Sequence, residues 1–331
     1  MKNLIFEGAV YMSNSELFIQ ALENNDIELI KKVPKTDLHN HSTSGCSREY
    51  IKKHSGIEIP SLQKKLKSLD DMEQWMEKNI NSYFSTPEGR NMTLEGCFQV
   101  ANDDGVVVLQ IGEDVWGNGY YYNNDIKKLI AQYKNMHKKI APEIDFRFQV
   151  GLSRHCGISY LEEWMAPFLE QDCFYSIDLY CNEFAQPIKN FKGLYRKAKE
   201  KGWLLTAHVG EWGTADDVKE AVEELELNEV NHGIAAADSP QIMNWLRDNN
   251  IQLNITPTSN VMLNRVESIE KHPIRKLYDY GIKVTINSDD IIIFDSEVSK
   301  EYLRLYNAKV FTADELNKIR LYGLESRGNY E

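Results

Sequence analysis

Two histidines one residue apart, His39 and His41, end the run Lys35-Thr-Asp-Leu-His-Asn-His41. Read as a strand, this run turns both imidazoles to one face and Asn40 to the other. Two imidazoles on one face are suited to chelating a divalent metal. A second stretch, Trp203-Leu-Leu-Thr-Ala-His208-Val-Gly-Glu211, is an apolar run that ends in a histidine, with a carboxylate three residues on. Gly210 permits a sharp departure into the next loop, which leaves Glu211 within reach of whatever His208 holds. A metal-ligating histidine followed by an acid/base carboxylate is one way to build a metal-assisted hydrolase. A core strand capped by a satisfied histidine fits the same stretch. Two further runs carry matching groups, Asn231-His232-Gly233 and Asn287-Ser288-Asp289-Asp290.

These residues can act together only if the elements that carry them converge. From Thr93 onward, helical and strand patterns alternate. Strand patterns fall at Lys35–His41, Gly105–Ile111, Ile144–Leu152, Phe174–Leu179, Trp203–His208, Glu229–His232, Ile251–Ile255 and Ile282–Asn287. Nearly all alternate with helices, from Thr93–Asn102 and Asn124–Lys139 to Pro273–Tyr280, and two more helices, Ser296–Asn307 and Thr312–Tyr322, close the chain. Such alternation implies parallel pairing, and eight units imply a (β/α)8 barrel. An amphipathic helix, Ser13–Lys32, precedes the first strand, with Ser13 and Ser15 as candidate N-caps and Pro34 as its stop. A helical insertion over about 48–92 follows the first strand. Leu62, Leu66, Leu69, Met72, Trp75 and Met76 recur there at helical spacing, as core packing or as a lid over a pocket. No linker or compositional break divides residues 1–331, so a single domain is expected, with 1–33 as an N-terminal helical extension.

In such a barrel the active site lies at the C-terminal ends of the strands. His39 and His41, His208 with Glu211, His232, and Asp289 with Asp290 all stand there, on strands one, five, six and eight. His54, His137 and His272 lie off the set and read as structural or solvated. His155 follows the third strand and could be either.

The chain has 331 residues, 42% hydrophobic and 27% charged, with a formal net charge of −12. That is a soluble globular composition. No basic run exists, which argues against a nucleic-acid surface and disfavours a polyanionic substrate. Five scattered cysteines without a C-x-x-C pattern point to a reduced, cytoplasmic protein. The apolar N-terminal run is interrupted by Glu7 and makes a poor signal peptide. No segment approaches transmembrane length, so no membrane partner is expected. Oligomeric state is not legible.

The ordered set H-x-H, H-x-G-E, H-G and S-D-D resembles the adenosine deaminase branch of the metal-dependent amidohydrolases. The likeness runs from about Pro34 to the C-terminus and is strongest from His208 onward, through Thr256-Pro-Thr-Ser-Asn260 and Asn287-Ser-Asp-Asp290. The resemblance implies that His39, His41, His208 and Asp289 hold one zinc per chain. It implies that Glu211 donates a proton to the ring nitrogen beside the attacked carbon. His232 would orient or deprotonate the water that the metal binds, and Asp290 would contact the ring. The implied reaction is hydrolytic deamination of adenosine or a related aminopurine nucleoside or base.

Three departures bear on the substrate. The family's loop after H-x-H usually carries Leu-Asp-Gly, whose aspartate contacts the sugar; here it reads Ser42-Thr-Ser-Gly45. Cys181 stands where the family has a glycine whose backbone meets the purine. The second strand lacks the expected basic residue and continues Gln110-Ile-Gly-Glu-Asp114, and Tyr120 to Tyr122 either add aromatic contacts or pack a loop. Asp290, Cys181 and Ser44 are therefore the expected substrate contacts, and a modified or different amino-heterocycle is open. A two-metal phosphoesterase would need a bridging ligand and cationic contacts to phosphate. A barrel that kept its metal without activity would be expected to lack Glu211 or His232, and neither is missing.

Overall fold

The computed structural model describes residues 12–42 and 44–325. The first part of the expected N-terminal extension (1–11), Thr43 and 326–331 lie outside the described residues. Eight strands are present: β1 Lys35–His41, β2 Val106–Asp114, β3 Asp145–Ser153, β4 Ser176–Tyr180, β5 Leu204–Val209, β6 Glu229–His232, β7 Gln252–Ile255 and β8 Lys283–Ile286. All neighbours pair in parallel, in sequence order β1 to β8. Helices connect them on the outside, as parallel pairing requires. Apolar side chains such as Leu109, Ile177, Leu205 and Val284 are fully or almost fully buried.

The barrel interior is polar and hydrogen-bonded rather than filled with aliphatic layers. Gln149 donates to Thr206 Oγ1 at 3.1 Å, Thr285 to Asn254 Oδ1 at 2.8 Å, and Asn254 to Asn231 Oδ1 at 3.2 Å. Buried polar groups are tolerable when paired in this way.

Closure between β8 and β1 rests on the chain just beyond β8. Asn40 bridges Asp289, and the Asp289 N–H donates to the His39 carbonyl at 2.9 Å. Side chains complete the seam: Asn287 Oδ1 accepts from the Leu38 N–H at 2.8 Å, and Asp37 Oδ1 from the Ser288 N–H at 3.2 Å. The residues that close the barrel are thus next to those that the sequence singles out for chemistry.

Most strands begin and end within two residues of expectation; β2 is the exception and runs on through Gly112, Glu113 and Asp114. The helix expected over Ser13–Lys32 is two helices, Asn14–Glu23 and Ile27–Ile30, parted at Asn25, whose φ is +53°. Asparagine tolerates that left-handed conformation better than most residues. Ser13 and Glu16 form a capping box at the start of the first. Phe18 packs edge-on against Tyr302, with ring centroids 5.1 Å apart, and Arg320 ties the region to the Pro34 carbonyl at 2.8 Å. The extension therefore packs beside the start of β1, at the opposite end from the site.

The insertion after β1 is helical at Arg48–Ser55 and Leu69–Met76, but 56–68, with Leu62 and Leu66, is irregular rather than helical. The second helix continues through a π-helical turn, Glu77–Asn81, into Ser82–Phe84. The Tyr120–Tyr122 segment belongs to a helix, Val115–Tyr122, rather than a loop. No helix among the described residues is long and apolar enough to cross a membrane.

Candidate active site

The strand ends bring His39, His41, His208, His232 and Asp289 into one cluster. From the His39 ring, the centroids of His208, His232 and His41 lie at 4.5, 4.7 and 5.5 Å. Asp289 Oδ1 is 3.4 Å from His41 Nε2 and 3.9 Å from His39 Nε2. His232, Asp289 and Cys181 all adopt left-handed backbone, with φ of +64°, +65° and +73°. Non-glycine residues held there are strained, and such strain concentrates where surrounding structure dictates side-chain direction.

The donor chemistry of this cluster fits a metal. His39 Nδ1 faces the Asn254 carbonyl at 3.2 Å, and His208 Nδ1 faces the Asp178 carboxylate at 3.0 Å. Each partner can only accept, so each Nδ1 carries the proton and each Nε2 presents a lone pair. Those two Nε2 atoms face each other at 2.9 Å. Two lone pairs at that distance are repulsive unless a cation lies against both, and Nδ1 bonds to carbonyl and carboxylate are how metal-ligating histidines are commonly oriented. Burial, and then the His208 ring, lower the His39 pKa to about 3, so its nitrogen is free to donate. Burial also works against a charge on His41, yet Asp290 and Asp289 raise it to about 10. The two carboxylates thus demand a positive charge, which a proton on His41 or a metal can supply.

Glu211 is buried beside this cluster. Its carboxyl accepts from Trp212 Nε1 at 2.9 Å and Asn260 Nδ2 at 3.3 Å. Burial, then the charges of Asp289 and Glu183, push its pKa well above the ordinary carboxyl value, which favours the protonated acid. Glu183 also fixes the loop. Its carboxylate accepts from the backbone N–H groups of Gly210, Glu211 and Trp212 at 2.7, 2.9 and 2.7 Å.

A relay from outside the cluster sets the state of His232. The Ile274 N–H donates to His272 Nδ1 at 3.1 Å, so the neutral His272 ring carries its proton on Nε2 and donates to Asn260 Oδ1 at 3.2 Å. That fixes the Asn260 amide, whose Nδ2 then faces His232 Nδ1 at 3.2 Å. His232 Nδ1 accepts, and its Nε2 carries the proton, 3.6 Å from Glu211 Oε2.

A cavity of about 590 Å³ opens above the cluster. Asp290, Ser44 and Cys181 line it, as do Leu69, Met72 and Met76 from the insertion. Ser44 hydrogen-bonds to Asp290, so its hydroxyl is engaged within the protein. Cys181 Sγ accepts from Ser153 Oγ at 3.5 Å. Burial, and then the Asp289 charge, raise the Asp290 carboxyl to about 6. Among the remaining histidines, His54 stacks on Tyr50, His137 bonds the Ile144 carbonyl, and His155 is exposed. His272 is structural but not remote, because it holds Asn260.

Sequence reasoning missed Asp178, Glu183, Asn254, Asn260 and Trp212 as partners of the central groups. Asp178 carried a signal, since it is a carboxylate within an otherwise apolar strand.

Comparison with known proteins identifies relatives of this chain. The adenosine deaminase family model matches residues 141–327. A putative adenosine/adenine deaminase from Treponema pallidum is 30% identical over 286 residues, spanning 86% of this chain and 95% of that protein. The crystal structure of an adenine deaminase from Arthrobacter aurescens superposes with a TM-score of 0.76 at 20% identity, covering 89% of this chain and 94% of that one. Arabidopsis ADAL complexed with IMP gives 0.75 at 17% identity, covering 92% and 94%.

Proposed function

Since the chain belongs to the adenosine deaminase family and is a metal-dependent aminohydrolase, we propose that it deaminates an aminopurine nucleoside or base that carries no phosphate. The reaction adds water at the amino-bearing ring carbon and releases ammonia. The observation that carries this reading is the buried, proton-favouring Glu211 beside a set of imidazole lone pairs at the floor of a cavity. In this reading His39, His41, His208 and Asp289 hold one zinc per chain. When bound, the zinc would supply Lewis acidity, lowering the pKa of water so that hydroxide is available near neutral pH.

The protein's own groups do the rest. Glu211 holds the proton that passes to the ring nitrogen next to the reacting carbon. His232, with its proton on Nε2, orients the attacking water by donation. Asp290, with its carboxyl raised to about 6, contacts the ring edge and is itself steadied by Ser44. The Cys181 backbone, with φ of +73°, approaches the ring where the family pattern has a glycine. Among the described residues no lysine or arginine lines the cavity, whereas Glu73, Glu77 and Asp114 do. Such a wall repels a phosphate, which separates this substrate class from the nucleotide bound to Arabidopsis ADAL. We read 1–331 as one catalytic unit, with the insertion as its cover. Metal analysis of purified protein, with ammonia release measured over adenosine, deoxyadenosine, adenine and AMP, tests the proposal. Zinc near one per chain with turnover of unphosphorylated aminopurines is expected; turnover of AMP alone would overturn it.

A further inference from the structure

The loop after β1 offers the cavity hydroxyl groups, and those of Ser42 and Ser44 are engaged, with Glu113 at 3.2 Å and with Asp290. Among the described residues, a free polar group on this wall comes from the next strand. In β2, residues alternate between faces. Gln110 and Gly112 turn inward, the first bonding the Leu38 carbonyl and the second lying against Gln149. Glu113 turns outward to Arg90 and Tyr133. Asp114 therefore faces in, two residues beyond Gly112, which pairs with His41, and it lines the cavity.

Asp114 is also the N-cap of the helix Val115–Tyr122, where an aspartate ordinarily accepts from first-turn amides. Its side chain makes no such bond and no other hydrogen bond among the described residues. A second orphan borders the same corner. Tyr180 packs over Gly151, the residue paired with Asp114, and its hydroxyl is buried without a partner among the described residues. In an eight-stranded barrel β2 stands across from β6, and β5 and β6 bring Glu211 and His232. A purine ring held at Glu211 and His232 sends its far substituent toward Asp114.

We propose that Asp114 reads the sugar, accepting a hydrogen bond from a ribose hydroxyl, so that the protein selects nucleosides over free bases. This rests on the deaminase reading above. A carboxyl oxygen left without a donor is costly, so a substrate without the hydroxyl is disfavoured.

The test measures kcat and KM by ammonia release for wild type, Asp114→Asn and Asp114→Ala on adenosine, 2′-deoxyadenosine, 5′-deoxyadenosine and adenine, with zinc content on each protein. Wild type is expected to prefer adenosine to adenine and to lose efficiency with at least one deoxynucleoside. In Asp114→Ala the adenosine-to-adenine ratio of kcat/KM should fall about tenfold to a hundredfold, chiefly through KM, with zinc content unchanged. Asp114→Asn, which keeps an acceptor oxygen, should lose less. A wild type that favours adenine, or a ratio that both variants leave unchanged, overturns the assignment and leaves the deaminase reading standing. A wild type that releases ammonia from none of these compounds overturns both.

Discussion

The strand ends and the inserted helices face each other across one cavity, yet they are held in different ways. At the strand ends several chemical groups are held from other strands: His39 by Asn254 on β7, His208 by Asp178 on β4, Asp289 by the His39 carbonyl on β1. The insertion lacks that framework. Leu69–Met76 contains no fully buried residue, and a π-helical turn follows directly. Its ties to the barrel include the Leu66 N–H on the Met262 carbonyl at 2.7 Å and Lys65 on the Val266 carbonyl at 3.1 Å. Groups that must hold or transfer an atom need fixed geometry, because small displacements are costly to rate. Groups that only cover apolar surface do not, since apolar burial is non-directional. On this comparison, changes at the strand ends should act on turnover and changes in the insertion on substrate affinity.

The largest effect expected follows from the proposed metal donors. His39→Ala or Asp289→Ala should lose zinc and all measurable turnover, with little change in the circular dichroism of the fold. Full metal content in both variants would break the assignment of the strand ends. Loading should also weaken as pH falls, because a protonated imidazole cannot donate to a metal.

Next in size is Glu211→Gln. It should retain zinc and lose about a hundredfold to ten-thousandfold in kcat. The pH profile sharpens this. The Glu211 pKa is raised by burial and by Asp289 and Glu183, and in the proposed role the acid form is the active one. Wild-type kcat should therefore hold at lower pH and fall as pH rises through that elevated pKa. The residual activity of Glu211→Gln should lack this alkaline limb; a limb that persists in the variant would assign it to another group.

A smaller loss is expected one step out. His272→Ala removes the donor that orients Asn260, and kcat should drop on the order of tenfold, because an orienting contact rather than a reacting group is lost. His272→Gln, which can still donate an N–H, should recover part of it. Equal losses in both variants would make His272 a packing residue only.

The smallest effect belongs to the insertion. Met72→Ala and Met76→Ala should raise KM by about tenfold at most while kcat stays near wild type. A collapse of kcat in either would show that the insertion positions reacting groups, and the contrast between the two regions would fail.

Much of the barrel was legible because its strands are apolar runs bounded by helical periodicity, and hydrophobic periodicity is a local property of the chain. The central donors were legible for a similar reason: histidines and carboxylates at the ends of such runs have few structural uses. What escaped was local in a misleading way. β2 continues through Gly112, Glu113 and Asp114, which carry no apolar signal, and pairing with β1 and β3 overrides their weak strand propensity. Val115–Tyr122 holds two glycines, which lower helix propensity, and its helix is settled by packing.

By itself the sequence determined the succession of strands and helices and the residue types at the strand ends, since both follow from side-chain chemistry and spacing. Only the tertiary structure decided partners. Asp178 became the orienter of His208, His272 the keeper of Asn260, and Asp114 an acceptor with no donor among the described residues, because a side chain's partner depends on register and barrel closure. Those bring together residues as far apart in the chain as Asp37 and Ser288, at distances that no local pattern encodes.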